Sequence, residues 1–126
     1  MKILVVDDDA GLLKGLEIGL RGCGHDVTTA RSGEQAMTLL SAAAGTGSDS
    51  LQMMIADFQM GGMDGLQLIR AARKVFPRMR TLLMTGSTDN RVRREVKKLR
   101  LCDYLEKPFT RDMLIRKIDG IASEKV

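Results

Sequence analysis

The sequence predicts an α/β fold in which helices cover both faces of a parallel β-sheet. Short apolar runs alternate with segments of helical periodicity, which is the pattern of repeated βαβ units. Three of these runs, at 3–6, 53–56 and 82–84, contain no polar residue, as expected for strands covered on both faces. The length of 126 residues fits one domain with a single core.

Five strands and five helices are predicted, with strands and helices alternating throughout. In chain order they are a strand at 2–6, a helix at 10–21, a strand at 26–30, a helix at 33–43, a strand at 52–56, a helix at 64–75, a strand at 80–84, a helix at 88–100, a strand at 103–106 and a helix at 111–122. The second strand, DVTTA, is the most polar and fits a sheet edge.

Helix-start residues agree with these boundaries. Ser32 with Gln35 three residues later fits a capped helix start, and Asp64 and Thr110 are cap residues for the third and fifth helices. In the first helix Gly11, Gly15 and Gly19 recur every fourth residue. Because glycine costs a helix about 0.5–1 kcal/mol relative to alanine, we expect these three to allow close packing on the sheet.

Composition and charge exclude several classes of protein. No apolar run approaches the roughly 20 residues that cross a bilayer, and the opening run reaches three aspartates, unlike a signal peptide. A cytoplasmic protein is therefore predicted. Cys23 and Cys102 lack metal-site spacing and are expected to be free thiols. Because His25 is the single histidine of the sequence, neither a zinc site nor a Ser-His-Asp triad is expected.

Four reactive residues each end a predicted strand. They are Asp7, Asp57, Thr85 and Lys107. Because the carboxyl ends of parallel strands emerge on one edge of the sheet, these side chains are expected to share a crevice. Carboxylates, a hydroxyl and an ammonium in one crevice can hold a divalent cation and a phosphoryl group, so the pattern predicts phosphoryl chemistry.

The three successive aspartates at 7–9 predict a cation-binding site. Asp9 is expected to cap the first helix, but capping does not account for three aspartates in succession. Two carboxylates about 4 Å apart repel by roughly 4 kcal/mol at an effective dielectric constant of 20, and Mg²⁺ prefers such oxygen ligands. Asp57 is the best candidate nucleophile, since aspartate forms acyl phosphates. Lys107, which a cis bond to Pro108 would aim inward, would neutralise phosphoryl charge.

Five stretches of the chain together resemble the receiver domains of two-component response regulators. They are KILVVDDD at 2–9, IAD at 55–57, MDGL at 63–66, LMTG at 83–86 and DYLEKPFT at 103–110. The resemblance covers nearly the whole chain and implies a flavodoxin-like (βα)5 fold with strand order 2-1-3-4-5. It also implies one receiver domain at 1–126, either free-standing or the front of a longer regulator.

By the same resemblance, Asp57 would accept a phosphoryl group from a phosphohistidine on a sensor histidine kinase or a phosphotransfer protein. The resemblance implies a signalling domain that assists its own phosphorylation and dephosphorylation, not an enzyme. Asp8, Asp57 and the backbone carbonyl of Gln59 would bind Mg²⁺ or Mn²⁺ directly, with Asp7 acting through water. The family usually has a proline after Met60, where this chain has glycines, and that departure makes the loop carrying the Gln59 carbonyl more mobile.

The resemblance also implies a conformational switch. Lys107 would contact the phosphoryl oxygens, Thr85 would move toward them, and Tyr104 would turn inward behind Thr85. The surface that changes would be the fourth helix, fifth strand and fifth helix, which is also a candidate homodimer contact. Gln59 and Ser87 occupy positions thought to tune phosphate lifetime in similar domains.

The fourth predicted helix is strongly basic. Residues 89–126 carry eleven basic and seven acidic side chains and so hold the whole net charge of +4. A solvated helix face explains this helix, and the alternative is a surface for an acidic partner, through Arg91, Arg94, Lys97 and Lys98. Direct DNA binding is not expected, because aromatic content is 3% and no base-reading helix is evident.

Two other functions compete with the phosphorylated switch. A haloacid-dehalogenase-like phosphatase also uses Asp-x-Asp after its first strand, which Asp7 and Asp9 match, but no later acidic pair appears and the chain leaves little room for a cap. A binding module that works without phosphorylation is the second alternative. The presence of every reacting group argues against it.

Overall fold

The computed structural model describes residues 1–45, 51–86 and 90–124 and shows a five-stranded parallel sheet in the order β2-β1-β3-β4-β5. The elements in chain order are β1 (Lys2–Val6), α1 (Ala10–Gly22), β2 (Asp26–Ala30), α2 (Gly33–Gly45), β3 (Met53–Asp57), α3 (Gly65–Val75), β4 (Arg80–Thr85), α4 (Asn90–Lys98), β5 (Cys102–Glu106) and α5 (Arg111–Ala122). The predicted fold class and strand order are confirmed, and the polar β2 lies at an edge.

The predicted element boundaries agree with the structure to within two residues at every described end. Two ends differ by two residues: α2 ends at Gly45 rather than at residue 43, and α4 ends at Lys98 rather than at residue 100. The chain turns there because Leu101 adopts a left-handed backbone conformation with φ of 58°. The predicted start of this helix at residue 88, like Ser87, lies outside the described residues.

Alternate residues of each strand point to opposite faces of the sheet and supply two hydrophobic layers. In β1, Ile3 and Val5 face α1 and α5, whereas Leu4 and Val6 face α2, α3 and α4. All four side chains are fully buried. The unbroken apolar runs therefore follow from helices on both faces, as predicted.

The helix starts form as their cap residues predict. The Asp9 carboxylate accepts hydrogen bonds from the backbone N–H groups of Gly11 and Leu12, at 3.0 and 3.2 Å. Asp64 forms a capping box with Gln67, and Thr110 caps α5. These caps fix where each helix leaves the carboxyl edge of the sheet.

The glycine repeat of α1 does not pack on the sheet, so that expectation is wrong. Leu13, Leu16 and Leu20 form the buried face of α1. A β-carbon added at Gly15 or at Gly19 would meet nothing within 4 Å. The repeat instead lines an open apolar groove between α1 and α5, because its four-residue spacing follows the side of the helix that the leucines leave free.

Candidate functional site

Strand register brings the predicted residues to one edge of the sheet. Val6 pairs with Ala56, Asp57 with Met84, and Thr85 with Glu106, so β1, β3, β4 and β5 end nearly level. Asp7 and Lys107 each follow the last residue of a strand. The predicted crevice is therefore formed by the carboxyl ends of these strands.

Lys107 lies between two aspartates that are far from it in sequence. Its Nζ is 3.3 Å from Oδ1 of Asp57 and 3.6 Å from Oδ2 of Asp7. The Lys107 backbone N–H donates to the Thr85 carbonyl at 2.7 Å, and the Lys107–Pro108 bond is cis. The structure thus brings the ammonium group and the candidate acceptor into direct contact.

Three carboxylates surround a small space at this edge. One oxygen from each of Asp7, Asp8 and Asp57 lies within 4.8 Å of the others. Asp7 is fully buried, Asp57 is nearly so, and Asp8 is exposed. Burial, and then the charge of Asp7, raises the pKa of the Asp57 carboxyl, while Lys107 and a backbone hydrogen bond from Gln59 oppose that rise.

The donor set fits a hard divalent cation. Oδ1 of Asp7 accepts a hydrogen bond from the Asp9 backbone N–H at 2.9 Å. Oδ2 of Asp7 is buried and has no hydrogen-bond partner among the described residues. A buried carboxylate oxygen without a hydrogen bond destabilises the fold, and a bound cation would relieve this. Because Mg²⁺ and Mn²⁺ both prefer oxygen ligands, the residues present suit either ion.

Thr85 and Tyr104 lie on neighbouring strands. Thr85 is the last residue of β4 and is buried at the crevice. Tyr104 pairs with Leu83 in register, and its half-buried ring packs against the hydrophobic layer shared with α3 and α4. The inward turn of Tyr104 upon phosphorylation stays a prediction.

Two cations that the sequence analysis missed contact the Tyr104 ring. The Arg93 guanidinium of α4 lies 5.9 Å from the ring centroid, and Nζ of Lys117 in α5 lies 5.7 Å from it. Lys117 also pairs with Asp103 at 3.1 Å. No local sequence pattern connects Arg93 with Lys117, because only the packing of two helices around β5 brings them together.

Gly65 also has a role that the sequence analysis did not recognise. A β-carbon at this position would lie 2.4 Å from the backbone oxygen of Asp57 and 2.7 Å from Leu83 Cδ1. The Gly65 N–H donates to the Phe58 carbonyl at 3.0 Å, so the start of α3 packs directly against the backbone that follows Asp57. Its place in the MDGL stretch was the available sign of this contact.

The basic face of α4 is partly neutralised. Arg91, Arg94, Lys97 and Lys98 are all exposed. Lys98 lies 3.5 Å from Glu95, which also pairs with Arg70 of α3. The face remains positive overall, and Val92 and Val96 of the same helix are buried.

The chain matches a known family and several of its members. A family model described as response regulator receiver domain matches residues 3–119. Transcriptional regulatory protein GlrR of Escherichia coli is 34% identical over 119 residues, covering 93% of this chain and 25% of GlrR. Transcriptional regulatory protein FixJ of Bradyrhizobium diazoefficiens is 35% identical over 121 residues, covering 94% of this chain and 55% of FixJ.

A solved structure agrees with these relatives. The response regulator receiver domain protein of Clostridium thermocellum is 27% identical, with a TM-score of 0.83 over 95% of this chain and 92% of that one. This chain spans about a quarter of GlrR and about half of FixJ. In the described part of the chain no helix is long and apolar enough to cross a membrane.

The crevice geometry, the strand order and the family match agree. This chain belongs to the response regulator receiver domain family, the signalling domains of two-component systems.

Proposed function

We propose that Asp57 accepts a phosphoryl group from a phosphohistidine on a sensor histidine kinase or phosphotransfer protein. The observation that carries this proposal is the shared space of the Asp7, Asp8 and Asp57 carboxylates, with Lys107 only 3.3 Å from Asp57. A nucleophile, a candidate metal site and a fixed cation are what transfer of a phosphoryl group requires.

In the proposed step, a carboxylate oxygen of Asp57 attacks the phosphorus atom. The new O–P bond forms as the P–N bond to the donor imidazole breaks, and the bonding pair stays with the imidazole nitrogen, which takes a proton from solvent. The Lys107 ammonium neutralises charge on the transferred group, and the Thr85 hydroxyl donates a hydrogen bond to one of its oxygens. The domain assists this transfer and the later hydrolysis of the aspartyl phosphate, which releases inorganic phosphate, and it is not itself an enzyme.

Asp8, Asp57 and the Gln59 backbone carbonyl would hold Mg²⁺ or Mn²⁺ directly, with Asp7 acting through water. When bound, the ion supplies positive charge that offsets the charge of the carboxylates and of the phosphoryl oxygens. Oδ2 of Asp7 is buried and accepts no hydrogen bond from the described residues, which supports this assignment.

The proposed output is a change in the surface of α4, β5 and α5. Thr85 would move toward the phosphoryl group and Tyr104 would follow, which alters the contacts of Tyr104 with α4 and α5. The exposed cations Arg91, Arg94, Lys97 and Lys98 suit an acidic partner at this surface. A homodimer through the same surface is an alternative use of it.

Residues 1–126 would form one receiver domain that works in the cytoplasm. GlrR and FixJ are named as transcriptional regulatory proteins, and the chain covers only part of each. With 3% aromatic residues and no base-reading helix among the described elements, this chain itself is not expected to bind DNA.

The phosphatase alternative loses its main support. Oδ1 of the Asp9 carboxylate caps α1 by accepting hydrogen bonds from the backbone N–H groups of Gly11 and Leu12. The phosphorylation experiment below distinguishes the proposed switch from a binding module that works without phosphorylation.

The test is phosphorylation by a small acyl phosphate in the presence of Mg²⁺, followed by intact mass measurement. Wild type and the Asp112→Asn control, which changes an exposed aspartate of α5, are expected to gain one phosphoryl group. Asp57→Asn is expected to gain none. Labelling that persists in Asp57→Asn but disappears in Asp7→Asn would favour the phosphatase, and no labelling in wild type would favour the binding module.

A further inference from the structure

A second charged recess lies at the opposite edge of the sheet, where β4 and β5 begin. It has a volume of about 410 Å³ and is lined by Arg73, Pro77, Arg78, Arg100 and Leu101. The three arginines come from the last turn of α3, the α3–β4 connection and the turn after α4. No carboxylate is among these lining residues, so the recess is electropositive.

Arg73 is fixed in position by the backbone. Its Nε donates to the Pro77 carbonyl at 3.3 Å, and its Nη1 donates to the Arg100 carbonyl. A guanidinium has five N–H donors, so these bonds leave others for a ligand. Burial, together with the nearby charge of Arg100, lowers the pKa of Arg73, which places this cation where an anion would be favourable.

A strained turn builds the wall of the recess. Leu101 has a φ of 58°, a conformation that bulky residues rarely adopt. It is buried, and its carbonyl accepts a hydrogen bond from Thr81 at 2.9 Å, which holds the turn in place. The turn presents the Arg100 carbonyl to Arg73 and keeps Arg100 beside the recess. Strain of this kind is found disproportionately at binding sites.

Arg78 and Arg100 lack compensating charge. Both are exposed, and neither forms a salt bridge within the described part of the chain. By contrast, Arg21 pairs with Glu17 and Arg70 pairs with Glu95. The recess therefore brings together two exposed arginines that form no salt bridge in the described part of the chain.

We propose that this recess binds a small polyanion with two or more phosphoryl groups, such as pyrophosphate or the triphosphate chain of a nucleotide. Guanidinium groups bind phosphate oxygens in a forked, charge-assisted geometry. A volume of about 410 Å³ far exceeds the roughly 30 Å³ share of one water, so the recess has room for a chain of phosphoryl groups. The site is separate from the Asp57 crevice and does not depend on phosphorylation.

The test is calorimetric titration of pyrophosphate into the whole chain in the presence of a metal chelator. Without Mg²⁺ the crevice carboxylates repel anions, so the heat reports on the recess. Wild type is expected to bind at millimolar or lower concentration. The double variant Arg78→Gln/Arg100→Gln is expected to bind about a hundredfold more weakly, at about tenfold for each lost guanidinium.

The matched control is Arg31→Gln/Arg116→Gln, which removes the same charge from two exposed arginines outside the recess. The control is expected to bind like wild type. Equal weakening in both double variants would overturn the proposal in favour of diffuse charge attraction, and so would the absence of binding by wild type. Thermal melts establish that each variant is folded, with Arg100→Gln alone as the substitute if the double variant is not.

Further ligands identify what is recognised. Orthophosphate is expected to bind more weakly than pyrophosphate, because it reaches fewer guanidinium groups at once. Equal affinity for inorganic triphosphate and a nucleoside triphosphate would show that the phosphoryl chain is the recognised part, whereas tighter nucleotide binding would assign the site to nucleotides. Tighter binding of a hexaglutamate peptide than of pyrophosphate would overturn the assignment to a small phosphoryl anion.

Discussion

The two edges of the sheet gather opposite charges in different ways. At the carboxyl edge, Asp7 and Asp57 are buried and share one ammonium, that of Lys107. At the amino edge, Arg73 is anchored by two neutral carbonyls, while Arg78 and Arg100 stay exposed to water. Like charges are close together at both edges, but only the acidic cluster is buried.

This difference indicates which edge needs an ion to be stable. Repulsion between buried carboxylates is poorly screened, and it contributes to the raised pKa of Asp57. Repulsion among exposed guanidinium groups is reduced by water and salt. The crevice should therefore respond strongly to loss or gain of a cation, and the arginine recess should tolerate being empty.

The largest expected effect comes from filling the tight contact behind Asp57. Gly65→Ala should lower the free energy of unfolding by about 3 kcal/mol, because the new β-carbon would overlap the Asp57 carbonyl and Leu83. Urea denaturation measures it. Gly15→Ala, in the open groove of α1, is the matched control and should stabilise by about 0.5–1 kcal/mol. Equal effects of the two substitutions would contradict the packing difference.

Loss of the shared ammonium should be the next largest effect. Lys107→Met leaves Asp7 and Asp57 without their cation, which costs about 3–5 kcal/mol for a fully buried pair. Because Lys107 is 28% exposed, we expect about 2 kcal/mol after allowance for screening. Denaturation in a metal chelator measures the change. Lys74→Met, an exposed lysine of α3, should change stability by less than about 0.5 kcal/mol.

Addition of Mg²⁺ should raise the stability through residues of the carboxyl edge and not through those of the amino edge. At ten times its dissociation constant the ion should stabilise the protein by about 1.4 kcal/mol, or about 5 °C in Tm for a domain of this size. Asp8→Asn should remove the shift in a thermal melt, whereas Arg78→Gln should retain it. An unchanged Tm of wild type at millimolar Mg²⁺ would contradict the metal assignment.

At the amino edge, only the anchored arginine should matter for stability. Arg73→Gln removes charged hydrogen bonds to two carbonyls and should cost about 1 kcal/mol. Arg78→Gln should stay within about 0.5 kcal/mol of wild type, because its side chain is exposed. Denaturant midpoints compare the two. A larger loss for Arg78→Gln would show that the recess is held together differently.

The smallest effect concerns the thiol beside the recess. Burial raises the pKa of Cys102, and the charge of Arg73 opposes that rise. Single-thiol variants should therefore show slower alkylation of Cys102 than of exposed Cys23 at about pH 8. Since the unfolded chain releases this proton first, stability should fall as pH rises above the ordinary thiol pKa, and Cys102→Ser should remove that fall.

Local pattern and chain order were enough to predict the sheet and the carboxyl edge. Apolar runs marked the strands, and Asp7, Asp57, Thr85 and Lys107 stood at their ends, so parallel pairing alone places them together. The resemblance added the strand order and the roles of Asp8 and Gln59. The metal ligands, the acceptor role and the switch remain proposals, because they concern states that depend on a bound ion or group.

The direction of the exposed helix side in α1 and the contacts made by residues in turns could not be predicted in the same way. The outward direction of Gly15 and Gly19 depends on which face of α1 the leucines bury, and spacing alone gave the wrong answer. Arg100 lies far from Arg73 and Arg78 in the sequence and meets them through a turn that contains the left-handed Leu101. No periodic pattern records such a turn.

The ring of Tyr104 connects α4 and α5, which both pack against β5. Arg93 holds it from α4 and Lys117 holds it from α5, and each cation–π contact is typically worth about 0.5–1 kcal/mol at an exposed site. Any rotation of the ring disturbs both contacts at once. A displacement of either helix would therefore change the contact that the same ring makes with the other helix.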